Sequence, residues 1–251
     1  MITTISQSLM KAYQKYLIKA ECGLRLKALY IDNTHHSMPS DAMQLGKWFE
    51  YCATGSTGRD GAPEPERTAK GQLTADYARA EMQANYFKVF CKGLGIEILH
   101  TNKHVQLEHL TGTLDIVAKW NDRIVTIDLK YSGLMDNKWD EMGWEIETLA
   151  DKEHHMVQAR HYTAISGTPF YFWVWHPKQE MVNKLIEVKI DPDSIEKHKE
   201  QAQNMINALN MDIALGLKAR PELMRCAKCE LFETCDKKAL LPEVETVYHS
   251  I

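Results

Sequence analysis

The chain has 251 residues, of which 44% are hydrophobic and 25% charged, and a net charge of −4. These values describe an ordinary globular protein of one large domain, or one domain with a small appendage, and the overall charge gives no sign of nucleic acid. No apolar run is long enough to cross a bilayer and no signal-peptide core opens the sequence, which excludes a membrane partner and makes the cytoplasm the expected compartment.

Residues 5–30 read as one or two helices, with Leu9, Tyr13, Tyr16, Leu17, Leu24 and Ala28 on one stripe and Gly23 bending or breaking the run. Lys11, Lys15, Lys19, Arg25 and Lys27 face only Glu21 in this stretch. That makes either a local basic surface or a solvated helix face. Residues 31–40 form a loop in which His35 and His36 are surface side chains. Ser40 or Asp41 caps a helix to about Ala53 that carries Gly46 and Glu50. The polar, Gly/Pro-rich residues 54–71 form a surface loop; Gly55 to Gly61 lacks the Gly-Lys-Ser/Thr ending of a phosphate loop. A helix from Thr74 to Lys92 places Tyr86, Phe87, Val89 and Phe90 in the core, with Cys91 as a small buried hydrophobe.

Four strands follow: Ile96 to His100, Val105 to Leu110, Thr113 to Trp120 and Arg123 to Lys130. The last two are joined by a hairpin turn at Asn121-Asp122. Residues 132–150 are a polar, acidic insertion containing Trp139 and Trp144, and 151–166 read as a helix. Strands at Phe170 to His176 and Lys184 to Ile190 precede a helix over about 194–215 and a cysteine-bearing segment. This order predicts an α/β fold, a mixed sheet flanked by helices.

Two groups of residues carry chemistry. Asp115 lies inside an apolar strand, and Asp128 and Lys130, two apart in the next, point to one face. A carboxylate in such a run is costly to bury unless it is paired or holds a metal. One or two carboxylates with substrate phosphate and water make the usual magnesium site, and a lysine beside them offsets charge developing on a phosphoryl group. The spacing alone, Asp-x12-Asp-x-Lys, is equally compatible with a surface salt bridge. The second group is the cysteines. Cys226, Cys229 and Cys235 stand as C-x2-C-x5-C, which is metal-ligand spacing, and a disulfide framework is not expected in a reducing cytosol.

Almost end to end, the chain resembles the PD-(D/E)xK nuclease superfamily. It is most similar to the RecB-like iron–sulfur branch, which includes the CRISPR-associated iron–sulfur exonucleases and the AddB nuclease domain. Gly46-x3-Glu50 matches the first helical motif, Gly112-Thr-Leu-Asp115 the metal-binding aspartate motif, Ile127-Asp128-Leu-Lys130 the (D/E)xK motif, and Gln158-x3-Tyr162 the Q-x3-Y helix. The resemblance implies a restriction-endonuclease-like mixed sheet, a single nuclease domain over 1–251 with its core at about 40–192, and a catalytic set of Glu50, Asp115, Asp128, Lys130, Gln158 and Tyr162. Glu50, Asp115 and Asp128 would bind Mg2+ or Mn2+. It further implies that Cys22 joins Cys226, Cys229 and Cys235 around a 4Fe-4S cluster, stapling segments at about 5–30 and 215–240; zinc is the rival occupant. Where the family places a proline after the first cysteine, this chain has Gly23. The implied activity is exonuclease action on single-stranded DNA or DNA ends, with Tyr131, Trp139 or Trp144 available to stack bases. Endonuclease action and non-catalytic DNA binding are the alternatives. Recombination or replication proteins are the implied partners, and phage recombination, DNA repair and CRISPR adaptation the compatible pathways.

Overall fold

The computed structural model describes residues 1–37, 39–57, 61–133 and 149–237, the backbone alone for 149–156. Trp139 and Trp144 lie outside the described residues. The chain packs as two compact units. One comprises residues 1–2, 8–38 and 207–251; the other comprises 3–7 and 39–206. The two cysteine-bearing segments fall in the first unit and the carboxylates in the second.

The second unit is built on one six-stranded mixed sheet. Its strands are β1 (Ile5–Ser6), β2 (Glu97–Leu107), β3 (Leu110–Trp120), β4 (Arg123–Tyr131), β5 (Phe170–Trp175) and β6 (Asn183–Val188). The spatial order is β1-β3-β4-β5-β6, with β2 also on β3. β1 is parallel to β3 and β4 to β5; the other pairings are antiparallel. The β3–β4 turn is the expected one: Asn121 and Asp122 have φ of 48° and 58°, the left-handed pair that a two-residue hairpin loop requires. The run Phe170 to Trp175 is apolar throughout because β5 is covered on both faces. Trp173 and Trp175 face one side, Phe172 and Val174 the other.

Helices α3 (Asp41–Thr54) and α4 (Ala75–Leu94) cover the first face. Phe49, Ala80, Ala84, Phe87 and Cys91 pack there against Ile116, Ala118, Val125, Ile127 and Leu129. Burial pushes the Cys91 thiol up to about 12, as suits a packing residue. Ser40 caps α3 by accepting from the Met43 N–H at 3.3 Å, and Gly55 ends it in the left-handed conformation. Helix α5 (Leu149–Ser166) lies on the opposite face, where Ala159 meets Phe170, Phe172 and Val174. Behind α5, the buried His161 donates through Nε2 to the Thr111 carbonyl at 2.9 Å, and its Nδ1 accepts from His198 Nε2 at 3.1 Å. Burial and the neighbouring His161, Arg160 and His109 push His198 down to about 3, so this pair is neutral. His198 lies on α6 (Pro192–Leu215).

The first unit contains α1 (Gln7–Leu17, from Ser8 onward), α2 (Gly23–Leu26), a π-helical turn at Lys27–Ile31, the end of α6, and α7 (Leu223–Cys226). Leu9, Met10, Tyr13 and Tyr16 are buried.

Three expectations are corrected. The strand anticipated at Ile96 to His100 and the first part of that anticipated at Val105 to Leu110 form one strand, β2, because pairing with β3 continues on both sides of Asn102 (φ 46°), while Leu110 itself opens β3. Leu17 is exposed, since α1 ends there and its stripe goes no further. Val89 is 66% exposed on the outer side of α4, opposite the line of Ala80, Ala84, Phe87 and Cys91 that fills the core. Among the described residues no helix is long and apolar enough to cross a membrane.

Candidate functional site

The site begins where β3 and β4 part. Their ladder runs from Trp120↔Arg123 back to Ile116↔Ile127, and the next residues are Asp115 and Asp128. Beyond that point β4 stays on β5, with Asp128 beside Phe172 and Lys130 beside Val174. Because Ile116 and Ile127 point into the α3–α4 core, the alternation of a strand turns Asp115, Asp128 and Lys130 to the opposite face, that of α5. Asp115 Oδ2 accepts the Leu129 N–H at 3.2 Å, so a side chain of β3 takes over a backbone donor that the ladder has released.

Asp128 is 1% exposed. Gln158 Nε2, from α5, donates to its Oδ1 at 2.6 Å, and Lys130 forms an ion pair with its Oδ2. That second oxygen is buried and accepts no hydrogen bond of proper geometry among the described residues. Glu50 reaches the same place from α3, which is held over the end of β4 by Phe49 stacked on Tyr131 at 4.5 Å. Burial raises the Asp115 carboxyl well above its ordinary value, and the charges of Asp128 and Glu50 raise it further against the pull of Lys130 and the Leu129 N–H. Glu50 is raised for the same reasons, burial first and then Asp128. Burial alone would lower Lys130, but Asp128, Asp115 and Glu50 outweigh it and hold the ammonium above its usual range.

Three carboxylates therefore share the half-buried Lys130, with Lys47 acting on Glu50 as a weaker second cation. Such a set is short of positive charge, and oxygen donors around uncompensated negative charge are what a hard divalent cation requires. Among the described residues, no three His, Cys, Asp or Glu side chains are yet gathered tightly enough to enclose an ion.

The sequence-predicted residues are not all in one place. Gln158 touches Asp128, whereas Tyr162, one turn further along α5, packs against Gly112 and Phe170. A Cβ on Gly112 would lie 3.0 Å from the Tyr162 ring, so the glycine of the Gly-Thr-Leu-Asp motif makes room for that ring. Tyr131 is a core anchor on Phe49, and its hydroxyl donates to the Pro177 carbonyl at 3.4 Å. Gln158→Ala strips a buried carboxylate of its donor. It is expected to lower the stability of the metal-free protein by about 1–3 kcal/mol in urea unfolding.

In the first unit, Cys22, Cys226, Cys229 and Cys235 line a single cavity. Arg25, Arg220 and Arg225 line it too, and the Arg220 N–H donates to Cys22 Sγ at 3.4 Å. Arg25 is fixed by Glu21 (2.7 Å) and by a forked contact with Glu230 (2.8 and 3.0 Å). Four thiols surrounded by cationic and N–H donors suit a thiolate-bound centre. The thiols stand too far apart to close on a single ion as they are. Of the basic N-terminal residues, Arg25 and Lys27 are spoken for by carboxylates, Lys27 by Asp32 at 2.7 Å.

Neither a protein-family model nor a characterised protein sequence matches the chain. Solved structures do resemble it. One is from Eubacterium rectale, a protein with a provisional exonuclease assignment. The likeness covers 97% of this chain and 91% of that one, with a TM-score of 0.60 and 16% sequence identity. Another is the alkaline exonuclease LHK-Exo from Laribacter hongkongensis, at 85% and 91% coverage, a TM-score of 0.51 and 13% identity. The same exonuclease in complex with dAMP matches equally well. At these identities the likeness is one of fold, and the folds it points to are those of exonucleases.

Proposed function

We propose that this protein is a divalent-metal-dependent DNA exonuclease of the PD-(D/E)xK superfamily, acting on single-stranded DNA or DNA ends, with a 4Fe-4S cluster on its four clustered cysteines. The observation that carries the nuclease reading is the meeting of Asp115, Asp128, Lys130 and Glu50 where β3 and β4 separate, with Gln158 holding one oxygen of Asp128. The fold likeness to exonucleases supports it.

In this reading Glu50, Asp115 and Asp128 hold Mg2+ or Mn2+, which when bound supplies charge neutralisation at the phosphate and acidifies a water. The protein's own residues do the rest. Gln158 keeps Asp128 Oδ1 engaged, so that its other oxygen and Lys130 face the reacting phosphate. Lys130, kept protonated by its carboxylate neighbours, orients the attacking water and offsets negative charge on the phosphoryl oxygens as the P–O bond breaks. Cys22, Cys226, Cys229 and Cys235 hold the cluster, with the Arg220 N–H on Cys22 Sγ as one of its hydrogen-bond donors. Recombination or replication proteins are the partners such an activity would serve.

The test is digestion of end-labelled single- and double-stranded DNA, linear and circular, with Mg2+ or Mn2+. Progressive loss of linear DNA with circles left intact is the expected result. Cut circles would make the protein an endonuclease, and binding without cleavage a DNA-binding protein of this fold. For the cysteines, anaerobically purified protein is expected to be brown with broad visible absorption; a colourless protein with stoichiometric zinc would overturn the iron–sulfur assignment.

A further inference from the structure

Glu50 differs from its two companion carboxylates in coming from a helix rather than from the hairpin, so something must hold that helix where like charges repel. A chain of hydrogen bonds does this. Thr54 Oγ1 donates to the Glu50 carbonyl at 2.8 Å and accepts the Ser56 N–H at 3.2 Å. Ser56 Oγ in turn accepts from Asn102 Nδ2. Gly55, left-handed at φ 74°, ends α3 between the two hydroxyl residues and delivers Ser56 toward β2.

Asn102 has a telling position. Its neighbours pair as Thr101↔Ile116 and Lys103↔Leu114, which sets Asn102 across from Asp115. It is also left-handed within a strand that pairs on both sides of it. Asparagine is among the few residues that tolerate this conformation, and a strained backbone conformation persists only where surrounding contacts fix it. Here the contact is the amide on Ser56. The chain thus runs from the backbone of Glu50 to the residue facing Asp115 without leaving this unit.

We propose that the Thr54–Ser56–Asn102 tether sets the separation of Glu50 from Asp115, making Asn102 and Ser56 positioning residues for the divalent cation. This rests on the carboxylate site being the metal site. The tether opposes the mutual repulsion of the carboxylates and keeps Glu50 in reach before any cation arrives.

The probe is Mn2+ binding to the full chain by titration calorimetry, with thermal melting of the metal-free protein alongside. Ser56→Ala removes the hydroxyl, and Asn102→Gly removes the amide while keeping the backbone free to be left-handed. Each is expected to weaken Mn2+ binding about 10-fold or more, the usual effect of losing an outer partner at a metal site. Ser56→Thr, which keeps the hydroxyl, is expected to bind as the parent does. In DNA cleavage, Ser56→Ala should raise the Mn2+ concentration needed for half-maximal rate, with kcat recovered at saturation. Parent-like Mn2+ binding by Ser56→Ala and Asn102→Gly, with binding lost in Asp115→Ala, would overturn the tether and leave the site reading standing. Parent-like binding by Asp115→Ala would overturn the site reading and the tether together.

Discussion

Asp115→Asn is expected to stabilise the metal-free protein while abolishing DNA cleavage. Asp115 is crowded by Asp128 and Glu50 with Lys130 as their shared counter-charge, and burial together with those two carboxylates raises its pKa. An asparagine has nearly the same shape, keeps an oxygen for the Leu129 N–H, and removes one charge from the set. A gain of ~1 kcal/mol is the expected scale, or about 2–4 °C for a chain of this size. With the carboxylates holding the cation as proposed, loss of one removes several kcal/mol of transition-state stabilisation, on the order of 10³-fold in rate or more.

The pH dependence has a definite sign. The folded pKa values of Asp115 and Glu50 lie above those of the unfolded chain, so the folded protein holds protons that the unfolded chain has already released. Their contribution to stability therefore falls as pH rises from the ordinary carboxylate range through the raised values. Melting of metal-free protein across this range should show the decline, and Asp115→Asn should flatten it. Added Mg2+ or Mn2+ binds the ionised carboxylates, so its stabilising effect should grow with pH. An unchanged pH profile in Asp115→Asn would contradict this account. Lys130→Ala should act in the other direction on stability. It leaves Asp128 without its ion-pair partner, and should cost roughly 3 kcal/mol as well as the activity.

Gly23→Ala is the second large effect, and it falls on the cysteine unit. A Cβ at Gly23 would lie 2.6 Å from the Lys218 carbonyl oxygen and 2.9 Å from Leu217 carbon atoms. The closest atom is backbone, which cannot swing aside. Its own N–H donates to that same carbonyl at 3.0 Å. Alanine should cost about 1–3 kcal/mol through overpacking. Proline should cost more, because it also removes the N–H. Glycine at this position thus has a local cause: the segment after Cys22 is fastened to the stretch of chain before Pro221 through a backbone donor. The readout is the rate of thiol labelling at Cys22, Cys226, Cys229 and Cys235, which should rise in both variants. Cys91, in the core of the other unit, provides the internal reference.

How much of this was legible in the sequence depended on how local its cause is. The face shared by Asp128 and Lys130 follows from strand alternation alone, and the Asn121-Asp122 turn from the few residues that accept a positive φ. Glu50 and Gln158 became candidates only by resemblance, since nothing in a helix pattern marks which polar residue faces a distant hairpin. β1 escaped notice because two residues carry no period, and its partner Leu110 is over a hundred residues on. The continuity of β2 is not legible in sequence, because Asn102 is a polar, left-handed residue inside the strand, and only the pairing with β3 on either side of it joins the two parts. The Ser56–Asn102 bond was beyond reach for the same reason, being set by tertiary packing between residues far apart in the chain.

The discontinuous make-up of the cysteine unit has a consequence for the order in which the protein is made. Residues 39–206, which carry the carboxylates and nearly the whole sheet, leave the ribosome as one uninterrupted block, with β1 already emerged ahead of them. The sheet can therefore form while synthesis is still under way, as units emerging early generally do. Cys22 emerges ahead of this block yet has to wait for Cys226, Cys229 and Cys235, which all follow it. During that interval its thiol is a nascent-chain liability, open to oxidants or stray metal, and the delivery of any cluster has to await synthesis of the whole sheet-bearing block.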